Sequence, residues 1–181
     1  MPAMKEKMRL SAAGTGTRKR IARLIETSDS AEPVLIVAGE HSGDLLGGDV
    51  MRALSRNGIK QFFGTGGESM KSAGCDLIME VDAMAVMGFV EAIKNYSRLK
   101  KLALRLIEEA KTRGTKTAIL IDYPGFNLKL AGWLKEAGIR VVFLVSPQLW
   151  AWHYGRIDKI KKNVDLMLVL FEFEKRIYDS A

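Results

Sequence analysis

The sequence predicts an α/β fold, a doubly wound parallel sheet with helices on both faces. Three observations predict it. Apolar strand candidates alternate with helical patterns from residue 33 onward. Two of the strands, KTAILID at 116–122 and RVVFLV at 140–145, are continuous apolar runs, as parallel strands buried on both faces must be. The first strand runs into AGEHSGDLLGG at 38–48, a turn of small and polar residues that leads into a helical pattern. A strand, a tight turn and a helix in that order open a Rossmann-like sheet. There, small residues admit a ligand to the backbone and the helix start offers N–H groups to an anion.

The elements follow in order. Residues 1–30 read as a basic, largely disordered extension, with a short helix expected over 17–27. Residues 31–181 read as one domain. Pro33 opens the strand at 33–38, and Leu45, Leu46, Val50, Met51 and Leu54 mark a helix over 43–57 that should stop at Gly58. A strand at 61–64 and a short helix at 66–73 enclose GTGGES, read as a glycine-rich loop. A strand at 76–80 precedes a long helix at 88–112, stopped by Gly114. The strand at 116–122, the helix at 125–137 with Gly138 beyond it, and the strand at 140–145 come next. A helix at 153–162, a strand at 164–170 and a helix at 171–180 complete the pattern. No internal repeat is present.

Composition narrows the function. Hydrophobic residues make up 48 % and charged residues 27 %, enough for a packed core. No apolar run is long enough to span a bilayer, and no signal peptide follows the first lysines. The single cysteine, Cys75, excludes an internal disulfide and fits the cytosol. Two scattered histidines give no metal cluster. The net charge is +7, but residues 1–30 alone hold seven Lys and Arg against three Asp and Glu. The basic residues lack the aromatic interleaving and fold cues of nucleic-acid modules, while an anionic lipid surface remains a plausible partner.

A doubly wound sheet places its chemistry at the carboxyl ends of its strands. Four clusters fall there: Glu40 to Asp44, Gly64 to Glu68, Asp122 to Asn127, and Ser146 to His153. GTGGES fails as a dinucleotide fingerprint, because it follows the second strand and its third glycine is displaced. In IDYPGFN, Asp122 ends an apolar strand just before Pro124 and Gly125 turn the chain. It is a candidate general base for a substrate hydroxyl, or else a cap for the next helix. In VSPQLWAWH, Trp150 and Trp152 are suited to a sugar face, or to a core beneath a loop. Residues 84–93 are apolar and are followed or joined by Lys94, Arg98, Lys100, Lys101 and Arg105. That pattern suits a bilayer interface, or an amphipathic helix lying on the sheet.

Together these segments resemble the lipid-A-disaccharide synthases. The matching stretches are VAGEHSGDLLGGDVMRAL at 37–54, FFGTGGESMKSAGCD at 62–76, AVMGFVEAI at 85–93, IDYPGFNLKLA at 121–131, VSPQLWAWHYGRIDKI at 145–160 and DLMLVLFEFEKRIYD at 165–179. The likeness covers about 33–181, in order. It implies the N-terminal, acceptor-side half of a glycosyltransferase of the GT-B fold, with the C-terminal UDP-binding domain absent or supplied by another chain. The implied reaction joins UDP-2,3-diacylglucosamine to 2,3-diacylglucosamine 1-phosphate and releases UDP, at the inner face of the cytoplasmic membrane, with no metal and no organic cofactor. The resemblance assigns Asp122 as the base. It places Glu40 and Ser42 in the matching first turn and matches 84–93 to the family's membrane-facing apolar patch, with Val86, Met87, Phe89 and Val90 as candidates for membrane contact. The strand-end clusters add Gly39, Gly43, Asp44, Asn127, Ser146 and Trp150 to Glu40 and Ser42 as candidates for substrate binding. His41 and the Tyr-Pro-Gly at 123–125 depart from the family's usual pattern. Two other readings stay open: half of a nucleotide-binding oxidoreductase, and a noncatalytic lipid-surface module.

Overall fold

The computed structural model describes residues 32–84, 92–147, 157–170 and 174, with the backbone alone at 92–95. Six parallel strands form one sheet: β1 (Val34–Ala38), β2 (Phe62–Gly66), β3 (Cys75–Glu80), β4 (Thr117–Ile121), β5 (Arg140–Leu144) and β6 (Leu166–Leu168). Their spatial order is β3-β2-β1-β4-β5-β6, the Rossmann order. The helices are α1 (His41–Ser55), α2 (Glu68–Ser72), α3 (Ala92–Thr112), α4 (Pro124–Glu136) and α5 (Ile157–Asn163). Gly58, Gly114 and Gly138 stand just beyond α1, α3 and α4 at φ of +95°, +69° and +77°, so the predicted stops hold.

The strands alternate between two cores. Val34, Ile36, Ala38, Ile119, Ile121, Val142 and Leu144 pack against α1 and α2. Leu35, Val37, Ala118, Leu120, Val141 and Phe143 pack against α3 and α4. Period-2 side chains that are apolar on both faces produce three layers. In the register, Ala38 pairs with Ile121, so β1 and β4 end level with each other.

Two expectations are corrected. The turn predicted over 38–48 shrinks to Gly39 and Glu40, because α1 already begins at His41. Gly47 and Gly48 are therefore helical, and they let α1 approach Met70 and Ser69 of α2. GTGGES is not a loop: Gly64, Thr65 and Gly66 continue β2, and Thr65 Oγ1 donates to the Ala38 carbonyl at 2.8 Å. Gly64 sits at φ +145°, where any side chain would strike the Ile36 carbonyl of the adjacent strand. These glycines serve backbone packing. The helices expected at 153–162 and 171–180 lie partly or largely outside the described residues, apart from α5 and Glu174.

Candidate functional site

The winding of the sheet reverses between β1 and β4. In such a sheet the crevice opens where the loops leaving these two strands diverge. Gly39 and Glu40 leave β1 there, Asp122 and Tyr123 leave β4, and Ser146 follows β5, the next strand.

The loop after β4 is strained and tightly held. Asp122 and Tyr123 both adopt left-handed backbone, at φ +48° and +49°. Val145, after β5, is at φ +72°, a rare conformation for a β-branched residue. Three strained residues at the ends of two adjacent strands form the kind of cluster found at binding and reaction sites. The Asp122 N–H donates to the Leu144 carbonyl at 2.8 Å. The Asn127 amide donates to the carbonyls of Asp122 and Ile121, at 2.7 and 3.2 Å. The Asp122 carboxylate accepts the Tyr123 N–H, which lowers its pKa, but burial has the larger effect and raises it above the ordinary 3.8. This carboxylate is not the helix cap considered from the sequence: the N-cap of α4 is Tyr123, and its side chain makes no capping bond.

In the sequence Tyr123 figures only as part of a departure from the family's usual pattern at 123–125, and the structure sets its ring at the switch point. It lies directly over Gly39, and a Cβ there would collide with Tyr123 Cγ and Cδ1. Burial, and then the charge of Glu40, raises the Tyr123 phenol pKa. The sequence signal was available: a glycine directly after β1 and an aromatic after β4 face each other once the two strands pair. Glu40 is exposed, is the N-cap of α1, and makes no side-chain capping bond. Ser42 is exposed in the first turn, beside His41, whose Nε2 lies 2.9 Å from Asp82 Oδ1.

Other predicted residues turn toward the protein. Asp44 is 5 % exposed, and its carboxylate accepts the N–H groups of Gly67, Ser69 and Met70 at 2.6, 3.0 and 3.0 Å. It thus caps the start of α2 from another helix, a use the sequence spacing does not reveal. Gly43 packs against Ala38 and Ile121; a Cβ there would lie 3.3 Å from Ala38 Cβ. Asn127 is fully buried and clamps the Asp122 turn. Ser146 is buried, and its Oγ donates to the Pro147 carbonyl at 2.9 Å. Trp150, Val86, Met87, Phe89 and Val90 lie outside the described residues. Among the described residues, no group of three or more His, Cys, Asp or Glu is placed to hold a metal, and no helix is long and apolar enough to cross a membrane.

Comparison with known proteins identifies the group to which this architecture belongs. The profile of the lipid-A-disaccharide synthetase family matches residues 34–181. The chain belongs to that family. It is 43 % identical over 152 residues to the lipid-A-disaccharide synthase of Coxiella burnetii strain Dugway 5J108-111, a match that covers 83 % of this chain and 40 % of that protein. It is 43 % identical over 149 residues to the synthase of Trichlorobacter lovleyi, covering 82 % of this chain and 39 % of that one. With the Koribacter versatilis synthase it shares 44 % identity over 148 residues, 80 % of this chain and 38 % of that one. The chain thus spans about two fifths of the length of the relatives it matches. Every described strand lies within the family match.

Proposed function

We propose that this chain is the acceptor-side half of an inverting lipid glycosyltransferase. The reaction condenses UDP-2,3-diacylglucosamine with 2,3-diacylglucosamine 1-phosphate, giving lipid A disaccharide 1-phosphate and UDP. A donor-binding half, in the same polypeptide or a separate one, completes the enzyme and holds UDP. The acceptor's 6-hydroxyl oxygen attacks the donor's anomeric carbon, the bond from that carbon to the diphosphate breaks, and UDP departs. Asp122 takes the hydroxyl proton. A single displacement inverts the anomeric centre and needs one base and no covalent enzyme intermediate.

The observation that carries this reading is the Asp122 turn. A half-buried carboxylate with a raised pKa sits at the sheet's switch point on a strained backbone fixed by Asn127 and Leu144. Glu40, Ser42 and the uncapped start of α1 offer hydrogen bonds to the sugar on the facing side of the crevice. Asp44 and Gly43 seat α1 against α2 and the sheet, Asn127 fixes the Asp122 turn, Ser146 lies at the next strand end, and Trp150 adds a sugar-stacking face. The enzyme works at the inner face of the cytoplasmic membrane as a peripheral protein, held by Val86, Met87, Phe89, Val90 and the cations of α3.

The test is Asp122→Asn in the two-domain enzyme, with disaccharide formation measured on a preparation whose fold is checked by circular dichroism. Loss of the base should slow turnover by about 100-fold to 10,000-fold. Near-normal turnover in the folded variant removes Asp122 from the mechanism.

A further inference from the structure

The turn after the first strand is where a Rossmann-like sheet brings its backbone up to a phosphate, and small residues keep that approach open. In this chain the approach is filled from within. Gly39 is buried, and the atoms over it belong to Tyr123: a Cβ at Gly39 would collide with Tyr123 Cγ, Cδ1 and Cβ. Gly43, the next small residue, is buried against Ala38 and Ile121. The space that these glycines leave is taken by the chain's own side chains. The Tyr123 ring is held there. Its backbone is left-handed at φ +49°, its carbonyl accepts the N–H groups of Phe126 and Asn127 at 3.2 and 3.0 Å, and its centre lies 6.3 Å from that of the Phe126 ring. The side chain is nonetheless partly exposed.

The charges at this place also disfavour an anion. Residues 38–44 and 121–127 hold Glu40, Asp44 and Asp122 and no lysine or arginine. Glu40 at the N-cap of α1 and Asp44 in its first turn already set carboxylates at the positive end of that helix. The imidazole of His41 stands 2.9 Å from Asp82 Oδ1. Burial first, and then the charge of Glu40, raise the Tyr123 phenol pKa, so that carboxylate and the ring share one neighbourhood. An aromatic ring bordered by the carboxylates of Glu40 and Asp122 suits a neutral polyol. The ring receives its C–H face, and the carboxylates accept its hydroxyl protons in hydrogen bonds.

We propose that Tyr123 is a specificity-determining residue: its ring takes the place of a phosphate over Gly39 and gives an uncharged sugar ring a surface to lie on beside Asp122. The identity of the sugar, an N-acylated glucosamine, rests on the proposed function. What the inference adds is that phosphate and nucleotide are kept off the turn between β1 and α1, and that the sugar is recognised there by its ring and hydroxyls. Tyr123 follows Asp122 directly in the chain, so a sugar packed on the one is oriented against the other.

The experiment titrates the ¹⁵N-labelled 181-residue chain with N-acetylglucosamine, an uncharged sugar with a short acyl group, and in parallel with inorganic phosphate and with UDP. The expected result is saturable shifts of the Gly39, Glu40, Tyr123 and Gly125 amides with the sugar and none with phosphate or UDP. Tyr123→Asn puts in a residue at ease in left-handed backbone but without the ring, and should weaken sugar binding by about tenfold. Tyr123→Phe keeps the ring and should retain binding. The same spectra show whether each variant is folded. Shifts of these amides with phosphate or UDP in the wild-type chain overturn the proposal. So do the absence of any shift with the sugar and undiminished sugar binding by the folded Tyr123→Asn variant. No glycosyl transfer is measured, so these readouts stand apart from the base assigned to Asp122. Slowed turnover in Asp122→Asn together with a failure here would keep that mechanism and remove only the role of Tyr123.

Discussion

At the residue scale, the charge on Asp122 is unfavourable to the fold and necessary to the proposed reaction. Burial raises its pKa, so the fold favours the protonated form. A raised folded pKa contributes stability that is fully present below the unfolded value of 3.8 and is lost as pH rises through the folded value. At neutral pH the ionised carboxylate therefore lowers stability. Asparagine would keep an acceptor for the Tyr123 N–H without the charge. Asp122→Asn should accordingly raise the Tm at pH 7 while it slows turnover, and thermal unfolding of wild type and variant side by side checks the sign. An unchanged or lowered Tm would mean that burial is not what governs this group. The same pKa fixes the acid limb of activity: kcat/KM should fall as pH drops through a value above 3.8, as the base takes up a proton.

At the scale of elements, α2 depends on a side chain far away in sequence. The helix is only five residues long, and three of its unpaired N–H groups end on the Asp44 carboxylate. Asp44→Ala would strand these donors in a buried place, at a cost of about 3 kcal/mol. For a domain of this size the Tm should fall by roughly 6–12 °C, read from thermal unfolding followed by circular dichroism. A shift within 2 °C, on the order of experimental scatter, would show that water replaces the carboxylate freely. The helix α3 shows a different division of labour. Leu102, Ala103, Leu106 and Ala110 are buried on the sheet, while Arg98, Lys100, Lys101 and Arg105 are exposed. The cations thus face outward, next in sequence to Met87 and Phe89. Vesicle co-sedimentation should lose most of its bound fraction in a folded Met87→Glu, Phe89→Glu variant. The cations contribute roughly 1 kcal/mol each near an anionic surface. Undiminished binding by that variant would place the apolar segment against protein instead.

At the scale of the whole molecule, Cys75 reports on how the sheet opens. It is the chain's single cysteine, 7 % exposed on β3, the outermost strand of the sheet on that side. Burial, and then the charge of Asp76, push its thiol up to about 12, so almost no thiolate exists at neutral pH. A thiol reagent should modify the folded chain very slowly. If labelling in urea follows the same midpoint as the loss of helical signal, the domain opens as one unit. Labelling that precedes that loss would mean that β3 detaches first, as edge strands of low local stability do. Either pattern should be visible at pH 7, well below the pKa of the buried thiol.

What the sequence by itself determined was the class of fold and the order of its elements. Apolar runs such as ILI at 119–121 and VVFL at 141–144, short, rich in β-branched residues and flanked by turn signals, fit strands buried on both faces, and glycines at 58, 114 and 138 end helices through local backbone geometry. It also located Glu40, Asp122 and Ser146 at strand ends, because that placement follows from the alternation alone. The tertiary structure decided what each polar side chain faces. Asp44 reads as part of a ligand turn until α2 is folded against α1, when it becomes a cap. GTGGES reads as a loop until β2 is seen to need glycine beside Ile36. Tyr123 gains its place only because β1 and β4 pair, setting its ring over Gly39. Periodicity is a local property, carried by each segment's own side chains. Hydrogen-bond partners and close approaches are set by segments tens of residues apart, and no pattern within a single segment records them.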